Sequence, residues 1–299
     1  HMIHDETSVP RVGELRHNES MSRHTSWRVG GPADRYYVPA SVEDLGQFVG
    51  GLSADEPIHW VGLGSNLLVR DGGVRGTVIA THGVLSSLER LDDGHVRAEA
   101  GVPCAKLARR CVRWGLGSAE FFAGIPGTVG GALAMNAGAF GGETWRHVAS
   151  VETMDRRGEV HHRGPDEYQV GYRSVVGPGE EWFLAAEFEF QPDAGATADD
   201  IKTLLARRKA TQPIGLPSCG SVFRNPPGAH AARLIESVGL KGHRIGGAWV
   251  SEKHANFIIS SDEATAADIE QLIEFVRETV EKAHGVRLHP EVRILGESA

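Results

Sequence analysis

Two glycine-rich stretches are the part of this 299-residue chain that points most directly to chemistry. The longer one, GIPGTVGGALAMNAGAFGG, spans residues 124–142, and the shorter one, GLGSNLLVRDGG, spans residues 62–73. Glycine permits tight turns, positive φ and a close approach of the backbone to a ligand. Each stretch alone is more typical of turns in a β-rich domain. Together they predict two main-chain cradles whose N–H groups hold the pyrophosphate of a dinucleotide.

Signatures of other chemistry are absent from the sequence. The Gly62-x-Gly64 pattern lacks the third glycine of a Rossmann fingerprint, and strand-like residues follow it instead of a helix. No P-loop, no G-x-S-x-G elbow and no H-E-x-x-H zinc motif occurs. Cys219 lacks the local signature of a nucleophile, and His161-His162 has no partner at metal-ligand spacing. We therefore predict no metal site, and we expect His161-His162 at a solvated strand edge.

Composition and charge limit the class of partner. The formal net charge of −8, from 31 basic and 39 acidic residues, disfavours general nucleic-acid binding but is compatible with a local basic pocket for an anionic substrate. The three cysteines form no disulfide framework. No apolar run approaches the length of a bilayer, and no signal-peptide pattern is present. We expect a cytoplasmic protein that acts on a small molecule, with no membrane and no obligate protein partner.

Local patterns predict the elements that must carry the two stretches. Helices are predicted over residues 41–50, 103–114, 200–210, 229–238 and 266–284. Strands are predicted over residues 27–29, 57–61, 67–69, 77–79, 96–100, 148–154, 160–162 and 182–190, with a strand pair in 242–259 and a last strand in 289–296. QPDAGATAD, residues 191–199, has the composition of a linker. Arg207-Arg208-Lys209 suits the end of a helix, and it could also face an anion.

Five segments, taken in order, resemble the UDP-N-acetylenolpyruvoylglucosamine reductase family. They are the two glycine-rich stretches, YRSV at 172–175, SCGSVFRNPPG at 218–228 and HPEVRILG at 289–296. The resemblance spans residues 25–296 and implies an α+β protein. It implies an FAD-binding domain of the vanillyl-alcohol-oxidase (PCMH) type, built from two subdomains, and a C-terminal α+β domain that binds the nucleotide sugar. The short segment between Asn225 and Arg244 resembles the compact second class, which lacks an inserted tyrosine loop.

The domain boundaries follow from this resemblance and from the linker. Residues 1–24 are predicted as an N-terminal extension. Residues 25–195 are predicted as the FAD-binding domain, divided into subdomains of about 25–82 and 83–195. Residues 196–299 are predicted as the UDP-sugar-binding domain.

The resemblance also implies a reaction and three catalytic residues. The enzyme would hold FAD, use NADPH and reduce the enolpyruvyl group of UDP-N-acetylenolpyruvoylglucosamine to UDP-N-acetylmuramate, a peptidoglycan precursor. Arg173 and Glu291 would stabilise the charge that builds on the substrate carboxylate, and Ser221 would donate a proton. Because an ionised carboxyl would repel that charge, we predict that Glu291 acts protonated, with a pKa raised by burial and neighbouring charge. Taken singly, Arg173 is more typical of a surface salt bridge, Ser221 of a turn hydroxyl and Glu291 of a strand-end charge.

Binding residues are implied in the same way. The predicted FAD-binding residues are Gly62, Gly64, Ser65, Asn66, Leu67, Gly124, Ile125, Gly127, Thr128, Gly130, Gly131, Asn136 and Ala137. The predicted substrate-binding residues are Tyr172, Arg208, Gln212, Asn225, His254 and Arg293. Two alternatives remain open at this point: another flavoprotein oxidase or dehydrogenase on the same fold, and a nucleotide-sugar-binding protein without catalysis. The colour of the purified protein would distinguish the second alternative from a flavoenzyme. A flavoenzyme should be yellow, and a binding protein without flavin should be colourless.

Overall fold

The structure is a computed structural model that describes residues 12–192, 195 and 197–299. The helices of this part of the chain are α1 (Val42–Gly50), α2 (Cys104–Arg113), α3 (Val129–Met135), α4 (Ala198–Thr211), α5 (Ala231–Ser237) and α6 (Ala266–His284). The strands are β1 (Glu14–Ser20), β2 (Pro32–Val38), β3 (Ile58–Val61), β4 (Leu67–Val69), β5 (Val74–Ala80), β6 (Leu88–Arg90), β7 (His95–Glu99), β8 (Leu116–Gly117), β9 (Gly138–Ala139), β10 (Gly142–Glu143), β11 (Val148–Asp155), β12 (Val160–Arg163), β13 (Gln169–Gly171), β14 (Ser174–Val176), β15 (Glu181–Glu189), β16 (Gln191–Pro192), β17 (Arg244–Ile245), β18 (Ala248–Val250), β19 (Ile258–Ser260) and β20 (Arg293–Leu295).

The first sheet has the order β1-β2-β5-β3. Its strands β2, β5 and β3 run parallel, and β1 is antiparallel to β2 at the edge. Helix α1 begins after Ser41, whose hydroxyl accepts the Asp44 N–H, as the N-cap pattern predicted. Strand β1 lies in the segment expected as an N-terminal extension. Its mostly exposed sequence ELRHNES carries no alternation that would signal a strand.

The second sheet is antiparallel, with the order β12-β11-β15-β7-β6. Helices α2 and α3 pack on it over a core that contains Leu107, Phe122, Leu133 and Phe188. The predicted helix and strands of this region are present, with small shifts at their ends. His161 lies on the edge strand β12, where its ring contacts Asp155 at 2.7 Å. The expectation of a strand edge is therefore confirmed.

The C-terminal part contains a small sheet, β17-β18-β19, packed on α6, and α5 packs on α6 as well. Helix α6 has the bounds that its apolar periodicity predicted, and Ile269, Leu272, Ile273, Val276 and Val280 are buried. A capping box at Thr265 begins the helix, and Gly285 ends it in the left-handed conformation with φ 68°. The sequence predicts this helix correctly because its N-terminal cap, its terminal glycine and its apolar face all indicate the same segment.

Strand pairing and side-chain hydrogen bonds join this C-terminal part to the first sheet region. Strand β20 pairs in parallel with β4, the strand that follows the first glycine-rich loop. The indole Nε1 of Trp27 donates to the Ile258 carbonyl at 2.8 Å, and the Trp27 carbonyl accepts from Ser260 Oγ. The predicted strand at residues 27–29 is wrong: these residues form a loop. Trp27 and Val29 are buried there because they pack into the C-terminal core.

Helix α4 packs against α2 and the turn at Glu120–Gly124, and its Ile201 belongs to the core of the second sheet. The helix therefore packs on the second-sheet side, whereas the linker composition predicts that it belongs to the C-terminal domain. Within the predicted linker, residues 191–192 form β16 and pair with β8. Residues 193, 194 and 196 lie outside the described residues. Among the described helices, none combines the length and apolarity that crossing a membrane requires.

Substitution of Asp71 tests how much the contact between the β4–β5 loop and helix α6 contributes to stability. Its two carboxylate oxygens accept the N–H groups of Ala266 and Ala267, at 2.9 and 3.0 Å, and so cap α6 from the β4–β5 loop. We expect Asp71→Ala to lower the free energy of unfolding by about 1–2 kcal/mol, because two helix donors lose their acceptor. Chemical denaturation of the whole protein measures this change.

The matched control is Asp92→Ala, at an exposed turn position where the side chain has no partner among the described residues. It should change the free energy of unfolding by less than about 0.5 kcal/mol. Equal effects of the two substitutions would show that the cap contributes nothing to stability.

Candidate active site

A cavity of about 750 Å³ opens where the two glycine-rich loops, the end of α4 and the C-terminal part meet. Its volume is within the range of about 300–1,000 Å³ that is typical of cofactor and ligand sites. Five arginines and one carboxylate, Glu291, line it; the arginines are Arg173, Arg207, Arg208, Arg224 and Arg293. The chain as a whole carries −8, so this local surplus of positive charge marks a site for an anionic ligand.

The two glycine-rich loops present unpaired backbone donors to the cavity. Within the described part of the chain, the N–H groups of residues 63–66 and of Gly127 and Thr128 have no hydrogen-bond acceptor. All six residues line the cavity. Buried backbone donors are normally paired, so this row of free N–H groups fits a ligand that supplies the acceptors. A pyrophosphate has the charge and the oxygen count for that role.

Glycine is required where these loops touch their neighbours. Gly64 has φ +64°, and a Cβ there would lie 2.0 Å from the His24 carbonyl oxygen. At Gly62 a Cβ would lie 2.4 Å from Thr128 Oγ1, the side chain that begins the second loop's helix. The first loop can therefore pack against both its own domain and the second loop only without side chains at these positions.

Arg173 is held at the tip of an exposed hairpin. It occupies the second position of the two-residue loop between β13 and β14, with φ 50°, which is uncommon for a residue other than glycine. Its Nε donates to Glu291 Oε1 at 2.8 Å. Its two terminal nitrogens donate to the carbonyls of Asn136 and Gly138, both at 3.3 Å. The guanidinium thus bridges the second glycine-rich loop and the C-terminal part.

Glu291 reaches the cavity from the segment before β20. Its N–H donates to the Val222 carbonyl at 2.7 Å, and its own carbonyl accepts from Asn66 Nδ2 at 3.1 Å. Burial raises the pKa of the Glu291 carboxyl above its usual value, against the opposing effect of Arg173 and Arg224. The charge that surrounds it in the protein is therefore positive, and burial alone accounts for the upward direction.

Ser221 lines the same cavity, and its hydroxyl has no partner among the described residues. Gly220 before it has φ +65°. Cys219 anchors the turn, because its buried thiol donates weakly to the carbonyls of Gly64 and Leu67, at 3.7 and 3.6 Å. Burial raises the pKa of the Cys219 thiol to about 12, so it stays a neutral donor rather than a nucleophile.

Most of the predicted binding residues line the cavity. Of the predicted FAD-binding set, all do so except Gly130 and Asn136. Gly130 donates its N–H to the Ala100 carbonyl, and Asn136 is 1% exposed. Among the predicted substrate-binding residues, Arg208, Gln212 and Arg293 line the cavity, and Arg208 Nε donates to Gln212 Oε1 at 3.1 Å.

Three predicted substrate contacts lie outside that lining. The hydroxyl of Tyr172, a half-exposed side chain, accepts the N–H of Asn225. The Asn225 side chain accepts the N–H of Ala231 at the start of α5, and His254 Nδ1 accepts the N–H of Asn256. Burial lowers the pKa of the His254 imidazole, which favours its neutral form. These contacts are those of turn-stabilising side chains.

Sequence reasoning missed several lining residues. Phe140, Phe257 and Arg224 line the cavity, as does Arg207, whose guanidinium lies over the Phe140 ring at 5.8 Å. Arg207 belongs to the basic cluster Arg207-Arg208-Lys209, for which the sequence alone predicts no more than a contact with an anion. Arg224 lies inside SCGSVFRNPPG, where its charge next to Ser221 was the available signal. The two phenylalanines carried no signal in the sequence, because a phenylalanine is ordinarily assigned to the core.

The fold and site together define a flavin-dependent oxidoreductase. A family model described as "FAD binding domain" matches residues 33–164. A second, described as "UDP-N-acetylenolpyruvoylglucosamine reductase, C-terminal domain", matches residues 212–295. Curated relatives carry the same name. The one from Alkalilimnicola ehrlichii is 63% identical over 96% of each chain, and the one from Methylococcus capsulatus is 59% identical over 98% of this chain and 96% of its own.

A solved structure agrees with these matches. The crystal structure of UDP-N-acetylenolpyruvylglucosamine reductase from Thermus caldophilus superposes with a TM-score of 0.81 at 31% identity, covering 95% of this chain and 99% of that one. The chain belongs to the UDP-N-acetylenolpyruvoylglucosamine reductase family. The predicted family, the α+β fold class and FAD as the cofactor are therefore confirmed. Helix α5 and the turn after it occupy the segment between Asn225 and Arg244, in keeping with the compact class.

Gly131 tests whether the cavity holds the flavin. A Cβ at Gly131 would meet only Thr128 Oγ1, at 3.8 Å, so the protein itself accommodates alanine there. We expect Gly131→Ala to keep or raise the stability of the flavin-free protein, by up to about 1 kcal/mol, because alanine favours helix. The methyl group occupies ligand space, so FAD affinity should fall by about tenfold, or about 1.4 kcal/mol. Titration of deflavinated protein with FAD measures both outcomes.

Gly179→Ala is the matched control. A Cβ at Gly179 meets nothing within 4 Å, and the residue does not line the cavity. It should bind FAD as the unmodified protein does. Unchanged affinity in Gly131→Ala would place the flavin elsewhere.

Proposed function

We propose that this chain reduces the enolpyruvyl group of UDP-N-acetylenolpyruvoylglucosamine to give UDP-N-acetylmuramate, with FAD bound in the cavity and NADPH as the reductant. One observation carries the proposal. Arg173, Ser221 and Glu291 are far apart in sequence, yet they line one cavity together with the glycine-rich loops. Bound FAD supplies the hydride that the enolpyruvyl double bond accepts. The backbone N–H groups of residues 63–66, with those of Gly127 and Thr128, would hold its pyrophosphate.

Arg173 stabilises the charge that the reaction creates. Hydride addition at C3 of the enolpyruvyl group moves negative charge to C2 and into the adjoining carboxylate. The guanidinium already lies in the cavity, where Glu291 and two carbonyls hold it. It can therefore stabilise the substrate carboxylate without first changing its position. The positive φ of Arg173 is a cost that the surrounding contacts offset, as is common at functional positions.

Glu291 acts as a neutral hydrogen-bond donor to the same carboxylate. The upward direction of its pKa supports this role, because burial favours the protonated form. Arg173, whose Nε lies 2.8 Å from Glu291 Oε1, acts against this protonation and contributes instead by its own charge toward the substrate carboxylate. Removal of the Glu291 charge leaves the cavity with arginines only, which suits a substrate that carries a carboxylate and a diphosphate.

Ser221 delivers the proton to C2. Its hydroxyl has no acceptor among the described residues, so it is free to turn toward a ligand. The Cys219 thiol, which donates weakly to the first glycine-rich loop, ties the Ser221 turn to the flavin cradle. A serine is a weak acid, and it donates effectively only where water is excluded and the recipient carbon carries negative charge.

Arg208, Gln212 and Arg293 are the proposed contacts of the substrate diphosphate, because all three line the cavity and arginine pairs bidentately with phosphate. Tyr172, Asn225 and His254 remain proposed substrate contacts on resemblance alone. We also propose that the domain boundary lies after α4, since α4 packs on the FAD side and the match to the C-terminal family begins at residue 212. A cytoplasmic location is proposed from the family.

Anaerobic mixing tests the function directly. NADPH should bleach the flavin absorbance, and later addition of UDP-N-acetylenolpyruvoylglucosamine should restore it. Bleaching of the flavin by a simple alcohol or sugar and its reoxidation by oxygen, with no response to the enolpyruvyl substrate, would favour the alternative flavoprotein oxidase.

Ser221→Ala separates the two half-reactions. We expect reduction by NADPH to change by less than about twofold, while reoxidation by substrate slows by about 10²–10⁴-fold, because only the second step needs the proton. Stopped-flow absorbance follows both. Ser218→Ala, in the same loop but outside the cavity lining, should behave as the unmodified protein. Equal losses in both half-reactions would make Ser221 a structural residue.

Glu291 gives the second half-reaction a pH dependence. The protonated form is the active one, so reoxidation by substrate should be fast below the raised pKa and slow as pH rises through it. Glu291→Gln keeps a neutral donor and should abolish this decline, with a rate loss of at most about tenfold. Glu291→Ala should cost about 10²–10³-fold at every pH.

Glu263→Gln, at an exposed position outside the cavity, is the matched control and should keep the pH profile of the unmodified protein. If glutamine at position 291 is as damaging as alanine, the neutral-donor role is wrong.

A further inference from the structure

The side chain of Asn136 makes its hydrogen bonds to other protein groups and does not line the cavity. It follows α3 with φ 50° and is 1% exposed. Its Nδ2 donates to Glu143 Oε2 at 2.7 Å and to the Gly171 carbonyl at 2.9 Å. Its Oδ1 accepts the Trp145 N–H at 3.0 Å. Both amide protons are committed to acceptors, so the orientation of the side chain is determined by its partners.

Two of these contacts lead to Arg173. Gly171 immediately precedes the two-residue loop that carries Arg173 at the tip of the β13–β14 hairpin. The backbone carbonyl of Asn136 also accepts from Arg173 Nη1, at 3.3 Å. A single residue therefore holds the backbone of the hairpin tip with its side chain, and the guanidinium with its main chain.

Val175 packs against the core of the second sheet, but most of the hairpin is exposed. Residues 169–171 are exposed, and Val176 is 57% exposed. A two-stranded hairpin that buries little apolar surface is marginally stable by itself. Polar contacts at the tip therefore decide where Arg173 lies. Besides Asn136, they include the Tyr172 hydroxyl, which accepts the N–H of Asn225.

We propose that Asn136 is a positioning residue for the reaction: it fixes the hairpin tip so that the Arg173 guanidinium faces Glu291 and the substrate carboxylate. Glu143 assists by directing the Asn136 amide toward Gly171. The inference rests on the proposed function of Arg173. It assigns Asn136 a role in the substrate half-reaction, in place of the contact with FAD that the sequence resemblance implied.

The decisive variant is Asn136→Gly in the flavin-loaded enzyme. Glycine keeps the left-handed backbone at no steric cost and removes only the amide. We expect reoxidation by substrate to slow by about 10–100-fold, since a shift of about 1 Å in a catalytic group has effects of this size. Reduction by NADPH, flavin absorbance and flavin affinity should stay within about twofold of the unmodified protein.

Two further variants distinguish loss of the Asn136 side-chain donor from a general effect of substitution. Asn18→Gly is the matched control, because Asn18 also has a left-handed φ, 52°, but lies exposed on β1. It should leave both half-reactions unchanged. Asn136→Asp keeps an acceptor for Trp145 and loses the donor to Gly171. It should reproduce the loss seen with glycine.

A double-mutant cycle shows whether Asn136 acts through Arg173. In an Arg173→Ala background, Asn136→Gly should change the reoxidation rate by less than about twofold, because the residue that it positions is already gone. A general loosening of the structure would instead slow both backgrounds equally.

Three results would overturn the inference: the same loss with and without Arg173, an equal loss in reduction by NADPH, or loss of flavin from both position-136 variants. The proposed function fails separately, if the unmodified enzyme, once reduced, is not reoxidised by the enolpyruvyl substrate. If the unmodified enzyme is reoxidised and Asn136→Gly matches it, only the inference is wrong.

Discussion

The parallel pairing of β4 with β20 is the constraint on which the site depends. Strand β4 continues directly from the first glycine-rich loop, and β20 begins two residues after Glu291. Asn66 extends this pairing, since its side chain donates to the Glu291 carbonyl and its own carbonyl accepts the N–H of Arg293. One register of one strand pair thus sets the Glu291 carboxyl against the first glycine-rich loop. A register shift would turn alternate side chains away from the cavity.

Around this junction, the protein leaves some polar groups unpaired and satisfies others completely. The N–H groups of the two cradles and the Ser221 hydroxyl face the cavity without acceptors in the described chain. The groups that support them, such as the Cys219 thiol and the Asn136 amide, are all engaged. This division is physically reasonable, because a ligand can satisfy only groups that the protein has not already paired. The supporting groups must be rigid to hold the others in place.

Charge follows the same arrangement. Five arginines face one carboxyl group in the cavity of an acidic protein. Burial raises the pKa of that carboxyl even though Arg173 contacts it. A site with this balance attracts an anionic nucleotide sugar, and the role proposed for Glu291 adds a neutral donor where negative charge develops. An ionised glutamate would repel the anion and could not donate a hydrogen bond. Burial favours the neutral form of the carboxyl, and this form avoids both problems.

Local signals in the sequence determined the elements that they fully describe. Helix α6 could be read to the residue, because its cap, apolar face and terminal glycine agree. The glycine-rich loops could be recognised because only glycine permits their backbone contacts. Strand β1 and the buried loop at Trp27 could not, since their conformations come from partners elsewhere in the chain.

What only the tertiary structure decided is which side chains meet. The contact of Arg173 with Glu291 and the hydrogen bonds of Asn136 join residues that lie far apart in the sequence, on different loops and hairpins. Their residue types were visible in the sequence. Their geometry was not, because a hydrogen bond depends on distances of a few tenths of an ångström that the packing of the whole chain sets.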